Sequence, residues 1–171
     1  HAHPAAGATA PLKEDRPVKR YARVRHLGDA AVLLFGSICA SATVLEVPGQ
    51  YPTIAAALVA ADNADVILIA PGAYPARVTV NKSVTLQGAG VGQTVLDGGG
   101  TGRVLVIDPG SSATVVGVTI TNGRAPDDFG YGGGVFNNGI VRLERCLVAG
   151  NSAPTAGGGV SNYDGILTLA D

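Results

Sequence analysis

Apolar and polar residues alternate along several short stretches of the chain, and three of these stretches share the same longer order. Each consists of an apolar-x-apolar segment, a two-residue corner and a second apolar-x-apolar segment. These repeats begin at Val84, Ala113 and Val141, and a further copy begins at Leu167. Alternation with a period of two is typical of β-strands that bury one face, and the Val, Ile and Thr content also favours strands. The pattern therefore predicts pairs of short strands.

The repeats recur at a nearly constant spacing. Equivalent apolar positions follow one another after 29, 28 and 26 residues, and they are Leu86, Val115, Leu143 and Leu169. A second marker agrees, because the glycine triplet and valine of Gly132–Val135 return 25 residues later as Gly157–Val160. This period is too short for a strand-helix-strand unit in every repeat. We predict stacked coils with Gly, Asn and Asp at their corners and one inner column of aliphatic side chains.

A short helix is predicted ahead of the first coil. Thr53 fits the N-cap of a helix that runs through Ala61 and places Ile54 and Leu58 on one face. The ends of a solenoid are exposed, so we interpret this helix as a cap of the N-terminal end. The sequence shows no equivalent cap near Asp171, where it stops inside a predicted strand. We therefore expect an all-β parallel β-helix with an N-terminal helix cap, truncated at its C-terminus and continued by more coils in the native protein.

The composition supports the same class of fold. The 171 residues are 46% hydrophobic and 5% aromatic and include 25 glycines, a profile that favours many short strands joined by tight turns. The formal net charge is −1, and basic and aromatic residues are not interleaved, so no nucleic-acid partner is predicted. The two cysteines, Cys39 and Cys146, fit neither a disulfide scaffold nor a metal site. Cys146 lies at an inward repeat position and is predicted to fill core space.

Residues 1–42 have the features of an export leader. Basic residues from Lys19 to Arg25 precede the apolar stretch Ala30–Ile38, and Ala40–Ala42 supplies the small residues that a signal peptidase recognises. We predict cleavage after Ala42, a leader that is otherwise disordered, and a mature β-helix over residues 43–171. The apolar stretch is about half of the roughly 20 residues that span a bilayer, so no membrane span is predicted in the mature segment. The alternatives for this stretch are a buried element or a membrane anchor.

Two parts of the sequence resemble known β-helix proteins. The opening Val47–Ile54 and the later segments Asp65–Tyr74 and Val84–Gly88 resemble the start of pectin-lyase-like right-handed β-helix proteins. The segments Gly132–Val135 and Ala149–Ala153 resemble repeats of bacterial surface β-helix proteins, including the chlamydial polymorphic outer membrane type. Together they cover residues 43–171, and the resemblance implies a right-handed parallel β-helix. Because enzymes and non-enzymes share this fold, it implies little about function.

Enzymes of the resembled family act on acidic polysaccharides, but their motifs are incomplete in this chain. Gly72–Ala76 is similar to a pectin methylesterase motif whose final Glu is replaced here by Ala76. Asp127 and Asp128 resemble the acidic pair of polygalacturonases, which use carboxylates as acid and base, yet the companion motifs are missing. We interpret these two carboxylates as solvated residues of a Gly/Pro-rich loop, with a weak calcium contact as the alternative.

Other polar residues are assigned to turns. A lyase would need a calcium cluster and a basic residue, for which Asp97, Asp108 and Arg103 are candidates, but the Asp-Gly and Asp-Pro-Gly sequences first predict turns. Asn138, Asn151 and Asn162 recur near predicted corners, where their side-chain amides can satisfy backbone groups and stack as ladders.

The sequence therefore predicts a secreted or cell-surface β-helix scaffold with a structural, adhesive or carbohydrate-binding role and no catalytic site in this segment. The expected partner is a polysaccharide or another cell-surface ligand, and calcium is the one cofactor considered. The alternative is the N-terminal part of a polysaccharide lyase, esterase or glycoside hydrolase whose active site lies beyond Asp171.

Overall fold

The computed structural model describes residues 41–128 and 130–171. These residues form fourteen short strands and one helix. In chain order the elements are β1 (Val44–Val47), α1 (Ile54–Ala60), β2 (Val66–Ile69), β3 (Gly72–Pro75), β4 (Val78–Val80), β5 (Ser83–Gln87), β6 (Thr94–Asp97), β7 (Leu105–Ile107), β8 (Ser112–Val116), β9 (Thr119–Thr121), β10 (Val135–Asn137), β11 (Ile140–Glu144), β12 (Leu147–Val148), β13 (Val160–Asn162) and β14 (Ile166–Ala170).

The strands form three parallel sheets. Sheet A has the order β1-β2-β5-β8-β11-β14, sheet B has β12-β9-β6-β3, and sheet C has β13-β10-β7-β4. The chain passes through sheets A, B and C in turn before it begins the next coil. The described residues therefore form a right-handed parallel β-helix, which confirms the predicted fold class.

The register of sheet A reproduces the predicted repeat. Val115 pairs with Leu86 on one side and with Leu143 on the other, and Leu143 pairs with Leu169. The equivalent positions of the repeats therefore stack directly above one another, which confirms the inner column that the hydrophobic pattern predicts.

The glycine triplets mark a corner with a special backbone conformation. Val135 pairs with Val160 in sheet C, so the two triplet copies superpose as the sequence predicts. The first glycine of each copy has a positive φ, 66° at Gly132 and 64° at Gly157. A Cβ atom at Gly132 would also lie 2.5 Å from the carbonyl oxygen of Val135. The marker recurs because the same tight corner recurs in each coil.

Aliphatic side chains fill the space between the three sheets. The largest fully buried ones are Ile54, Ile67, Ile69, Leu86, Leu96, Leu105, Ile107, Ile120, Val47, Val80, Val104 and Val115. Full burial of such a side chain contributes about 1.5–3 kcal/mol to stability. Because all three sheets supply these residues over several coils, the core is built layer by layer rather than around one centre.

Helix α1 covers the N-terminal end of this core. The hydroxyl oxygen of Thr53 accepts a hydrogen bond from the backbone N–H of Ala56 at 3.1 Å, which confirms the predicted N-cap. Ile54, Ala57 and Leu58 are the buried residues of the helix, and the helix contacts β1, β2 and β4. The predicted capping helix is therefore present and buries the predicted face.

Two charged side chains fasten this cap to the first coil. The Lys82 ammonium group donates to the carbonyl oxygen of Ala61 at 2.6 Å, directly after the helix. The Asp65 carboxylate accepts hydrogen bonds from the backbone N–H groups of Thr43 and Asp62, each at 2.8 Å. The hydrogen bonds from Thr43 and Asp62 hold the pKa of Asp65 below its usual value, because they stabilise the ionised form.

An asparagine ladder occupies the corner between sheets C and A. Asn137 donates from Nδ2 to Oδ1 of Asn162, its register partner in the next coil, at 2.6 Å. The fully buried Asn137 side chain also accepts from the N–H of Gly139 and donates to the carbonyl of Ile166, both at 3.1 Å. The ladder prediction is therefore right for Asn162 but wrong for Asn138. Asn137 takes that place instead, because the alternation along β10 turns Asn137 inward.

Asn151 holds a different corner as the sequence predicts. Its Oδ1 atom accepts from the backbone N–H of Gly123 at 2.7 Å, and its Nδ2 atom donates to the carbonyl oxygens of Ile120 and Ala149 at 2.9 and 3.1 Å. One side chain thereby satisfies backbone groups of two coils.

The predicted export leader lies outside the described residues, apart from its last two positions. The assignment of Lys19 to Ile38 as a signal-like segment therefore stays a prediction. So does the cleavage after Ala42 that would remove Cys39 with the leader. The helix that the described residues contain lacks the length and apolar character required to cross a bilayer.

Candidate ligand-binding cleft

A cleft of about 450 Å³ opens on the outer face of sheet C, over β4 and β7. Thr79 and Val106, which pair in register, lie on its floor. Three arginines line it, Arg77, Arg103 and Arg124, and we call this feature the arginine cleft. Each arginine belongs to the connection from sheet B to sheet C in its own coil. Successive coils therefore bring three guanidinium groups to one surface.

The Arg77 side chain lies against the next coil. Its Nη1 atom donates to the hydroxyl of Thr101 at 3.3 Å. A Cβ atom at Gly102 would lie only 2.9 Å from Cδ of Arg77, so the glycine provides the space that this side chain occupies. The small residue at position 102 thus helps to position Arg77 at the cleft.

Arg103 is the least exposed of the three arginines that line the cleft. Its Nε atom donates to the backbone carbonyl of Tyr131 at 2.8 Å, and its Cζ atom lies 4.3 Å from the centroid of the Phe136 ring. Such a guanidinium-aromatic contact is attractive and also fixes the plane of the side chain. Burial lowers the pKa of Arg103 because it disfavours the charged form, and the nearby Asp128 carboxylate opposes that effect.

Arg124 forms an ion pair within its own loop. Its Nη2 atom lies 2.9 Å from Oδ1 of Asp127, while its backbone N–H donates to the carbonyl of Gly102 at 2.9 Å. The two side chains remain 54% and 79% exposed, so the pair contributes only about 0–1 kcal/mol. An anionic ligand can therefore compete with Asp127 for Arg124 at little cost.

The calcium assignment of Asp127 and Asp128 stays a prediction. The structure shows Asp127 paired with Arg124 and Asp128 close enough to influence the pKa of Arg103. In the part of the chain that the structure describes, no three His, Cys, Asp or Glu side chains cluster in a way that could hold a metal ion.

Three aromatic side chains lie near the arginine cleft: Phe136 on β10, Tyr131 in the connection before β10, and Tyr163 directly after β13. The Tyr163 ring lies 5.8 Å from Phe136 and 6.1 Å from Tyr131, measured between centroids, and both pairs are tilted. Phe136 is on the outward face of β10 yet only 6% exposed, whereas Tyr163 is 59% exposed. We call these three residues the aromatic platform.

The other lyase candidates are separated by the fold. Asp97 accepts from the N–H of Gly99 at 2.8 Å, and the carbonyl of Asp108 accepts from the N–H of Ser111 at 3.2 Å. Asp108 therefore begins a turn as the sequence predicts, while Asp97 is the last residue of β6 and its carboxylate holds the turn that follows. Arg103 comes just before β7 and Asp108 directly after it, so these two residues lie at opposite ends of that strand.

Cys146 belongs to the interior. Its thiol donates to the backbone carbonyls of Val115 and Glu144, both at 3.3 Å, and its half-buried side chain packs against the hydrophobic core. The core-filling role that the repeat predicts is therefore confirmed.

The chemistry of the arginine cleft is suited to binding anions. Each guanidinium carries five N–H donors, so the hydrogen bonds described here leave Arg77 and Arg124 able to bind a carboxylate as well. The described residues that line the cleft include one carboxylate, Asp127. The three arginines therefore favour contact with an anionic group.

This cleft was not predicted from the sequence. A signal was present, since Arg77 and Arg103 each come shortly before a strand of sheet C and one coil apart. Comparison with protein-family models and with curated proteins produced no match to the chain.

Proposed function

We propose that this chain is an exported β-helix scaffold of the pectin-lyase-like type and that it binds an anionic polysaccharide in the arginine cleft. The observation that carries the proposal is the convergence of Arg77, Arg103 and Arg124 from three successive coils on one surface of sheet C. Guanidinium groups bind carboxylates through paired, charge-assisted hydrogen bonds, which gives them a preference for uronic acids over neutral sugars.

The repeated placement of the arginines supports a polymeric ligand. Neighbouring strands of a sheet are about 4.8 Å apart, so arginines from successive coils lie at different positions along the helix axis and form a row. A polymer with repeated negative charges can contact several of them at once, and each additional contact then forms intramolecularly. A single small anion gains nothing from the row.

Export to the cell surface is supported by the sequence. The basic residues, apolar stretch and small residues between Lys19 and Ala42 fit a signal peptide. The resemblance of Val47–Ile54 to pectin-lyase-like proteins and of Gly132–Val135 to bacterial surface repeats points to the same location.

The test measures binding of polygalacturonate to the chain by isothermal titration calorimetry, with neutral galactan as the comparison polymer. We expect polygalacturonate to bind, galactan not to bind, and the affinity for polygalacturonate to fall as salt screens the charges. The double change Arg77→Ala and Arg124→Ala should weaken binding about tenfold or more, since each guanidinium contact contributes on the order of 1 kcal/mol.

Arg142→Ala is the control for a change of surface charge. Arg142 lies on the outer face of sheet A and pairs with Glu144 at 3.3 Å, so its loss removes one positive charge, against two in the double variant, without touching the cleft. We expect this variant to bind as the wild type does. Equal binding of galactan and polygalacturonate, or an unchanged affinity in the double variant, would contradict the proposal.

The enzyme alternative and the calcium assignment can be tested in the same samples. A lyase would produce unsaturated sugars that absorb ultraviolet light when the chain is incubated with polygalacturonate and calcium. Titration with calcium alone, in the wild type and after Asp127→Asn and Asp128→Asn, tests whether these carboxylates bind the ion. For a scaffold without a catalytic site we expect no absorbance change.

A further inference from the structure

One residue of the aromatic platform, Phe136, belongs to the same row of outward-facing side chains as the floor of the arginine cleft. In sheet C, Thr79 pairs with Val106, Val106 with Phe136, and Phe136 with Ser161. Thr79 and Val106 lie on the cleft floor, Phe136 lies in the middle of β10, and Tyr163 directly follows β13. The platform therefore continues the cleft along the same sheet, toward the later coils.

Arg103 connects the two features. It lines the cleft, and its guanidinium group lies over the Phe136 ring while its Nε atom donates to the carbonyl of Tyr131. A ligand that forms an ion pair with Arg103 is therefore held next to the aromatic rings. This contact joins a residue that lines the cleft to one ring of the platform.

The outer ring of the platform has the properties of a sugar-binding residue. Tyr163 is 59% exposed and is backed by Phe136 and Tyr131 at 5.8 and 6.1 Å. A pyranose ring presents apolar C–H groups on one face, and a tyrosine offers an apolar ring with a polar hydroxyl at its edge. Because the neighbouring rings already restrict Tyr163, binding costs little conformational entropy.

We propose that the aromatic platform is a second subsite, where Tyr163 stacks on a sugar ring of the same anionic polysaccharide that occupies the arginine cleft. This proposal rests on the proposed function and adds a requirement for ligand length. From β4 to β13 there are three strand spacings, about 14 Å. With roughly one sugar unit per strand spacing, a chain of about four units is needed to cover the whole cleft and the platform together.

The experiment measures the affinity of oligogalacturonides from dimer to octamer by calorimetry. For the wild type we expect the affinity to rise with length until both subsites are occupied and then to level off. Tyr163→Ala should lower the affinity for the hexamer about three- to tenfold and leave that for the dimer unchanged. Tyr163→Phe keeps the ring and should bind as the wild type does.

The outcomes separate this proposal from the one on which it rests. If no oligomer binds to the wild type, the proposed function fails. If oligomers bind but Tyr163→Ala binds the hexamer normally, or loses affinity equally for dimer and hexamer, the second subsite is refuted and the function stands. Tyr163→Leu keeps an apolar side chain without the ring, and we expect this variant to bind as Tyr163→Ala does. Thermal unfolding of each variant checks that the fold is intact.

Discussion

The amide of Asn137 donates to the amide oxygen of Asn162 at 2.6 Å, and the two residues occupy the same position of successive coils. Asn137 also lies in register with Ile107 in the preceding coil. A polar side chain therefore continues an inner row that is aliphatic one coil earlier. It is tolerated there because Asn137 satisfies its own polar atoms with those of Gly139 and Ile166.

Replacement of Asn137 by alanine should destabilise the fold. The change leaves the N–H of Gly139 and the carbonyl of Ile166 without this partner, and an unsatisfied buried group costs about 1–3 kcal/mol. We expect the free energy of unfolding in urea to fall by about that amount. The neighbouring change Asn138→Ala is the control and should have a small effect; equal losses for both variants would mean that the ladder is not the cause.

Loss of the helix cap should weaken the N-terminal end. Thr53→Ala removes the oxygen that accepts from the N–H of Ala56, and loss of an N-cap typically costs about 1 kcal/mol. Thr53→Ser keeps the hydroxyl and should retain most of the stability. Urea unfolding followed by circular dichroism measures both variants. A serine variant as unstable as the alanine variant would show that the methyl group matters more than the hydrogen bond.

The fold should lose stability in acid through Asp65. Its pKa is lowered by the hydrogen bonds from Thr43 and Asp62, so its contribution is present at neutral pH. That contribution is lost as the pH falls below the ordinary aspartate pKa of about 3.9 and through the lower value of the folded state. Asp65→Asn should therefore be less stable than the wild type at pH 7 and lose less stability on acidification.

Urea unfolding between pH 7 and pH 2, about two units below the ordinary aspartate pKa, checks this prediction. Asp108→Asn is the control. The turn at Asp108 is held by its backbone carbonyl, which accepts from the N–H of Ser111, so this variant removes the same charge and should keep the acid sensitivity of the wild type. If Asp65→Asn loses as much stability in acid as the wild type, other carboxylates are responsible.

Substitution of the middle glycine of the first triplet should prevent normal stacking. A Cβ atom at Gly133 would lie 2.1 Å from the carbonyl oxygen of Ser152, in the next coil. Because backbone cannot move aside as a side chain can, we expect Gly133→Ala to cost at least about 3 kcal/mol. At Gly159 a Cβ atom would lie 3.5 Å from Val148, an ordinary contact. Gly159→Ala should be tolerated, and thermal unfolding compares the two.

The architecture could be predicted from the sequence because the core depends on a pattern that is local and repeated. Each of Leu86, Val115 and Leu143 lies in a short alternating stretch, and parallel stacking brings equal positions together. The period alone therefore specifies which residues are in contact. The corner asparagine was assigned one residue away because two asparagines adjoin at Asn137 and Asn138, and the end of the strand decides which one turns inward.

The candidate site could not be predicted in the same way. Arg77, Arg103 and Arg124 follow no apolar alternation, and their convergence depends on the path of each connection from sheet B to sheet C. The contact of Arg103 with Phe136 joins residues of different coils. No motif around Phe136 in the sequence predicts that an arginine packs on its ring. Side-chain contacts across coils require the register, which the structure supplies.

The parallel register also bears on how such a protein can change its ligand. Every sheet pairing joins one coil to the next, so duplication of a single coil would lengthen the molecule by about 4.8 Å without altering any pairing within the older coils. A duplicated coil that includes Arg103 would add one guanidinium to the row on sheet C. Gene duplication would then lengthen the proposed polysaccharide-binding site by one whole coil at a time.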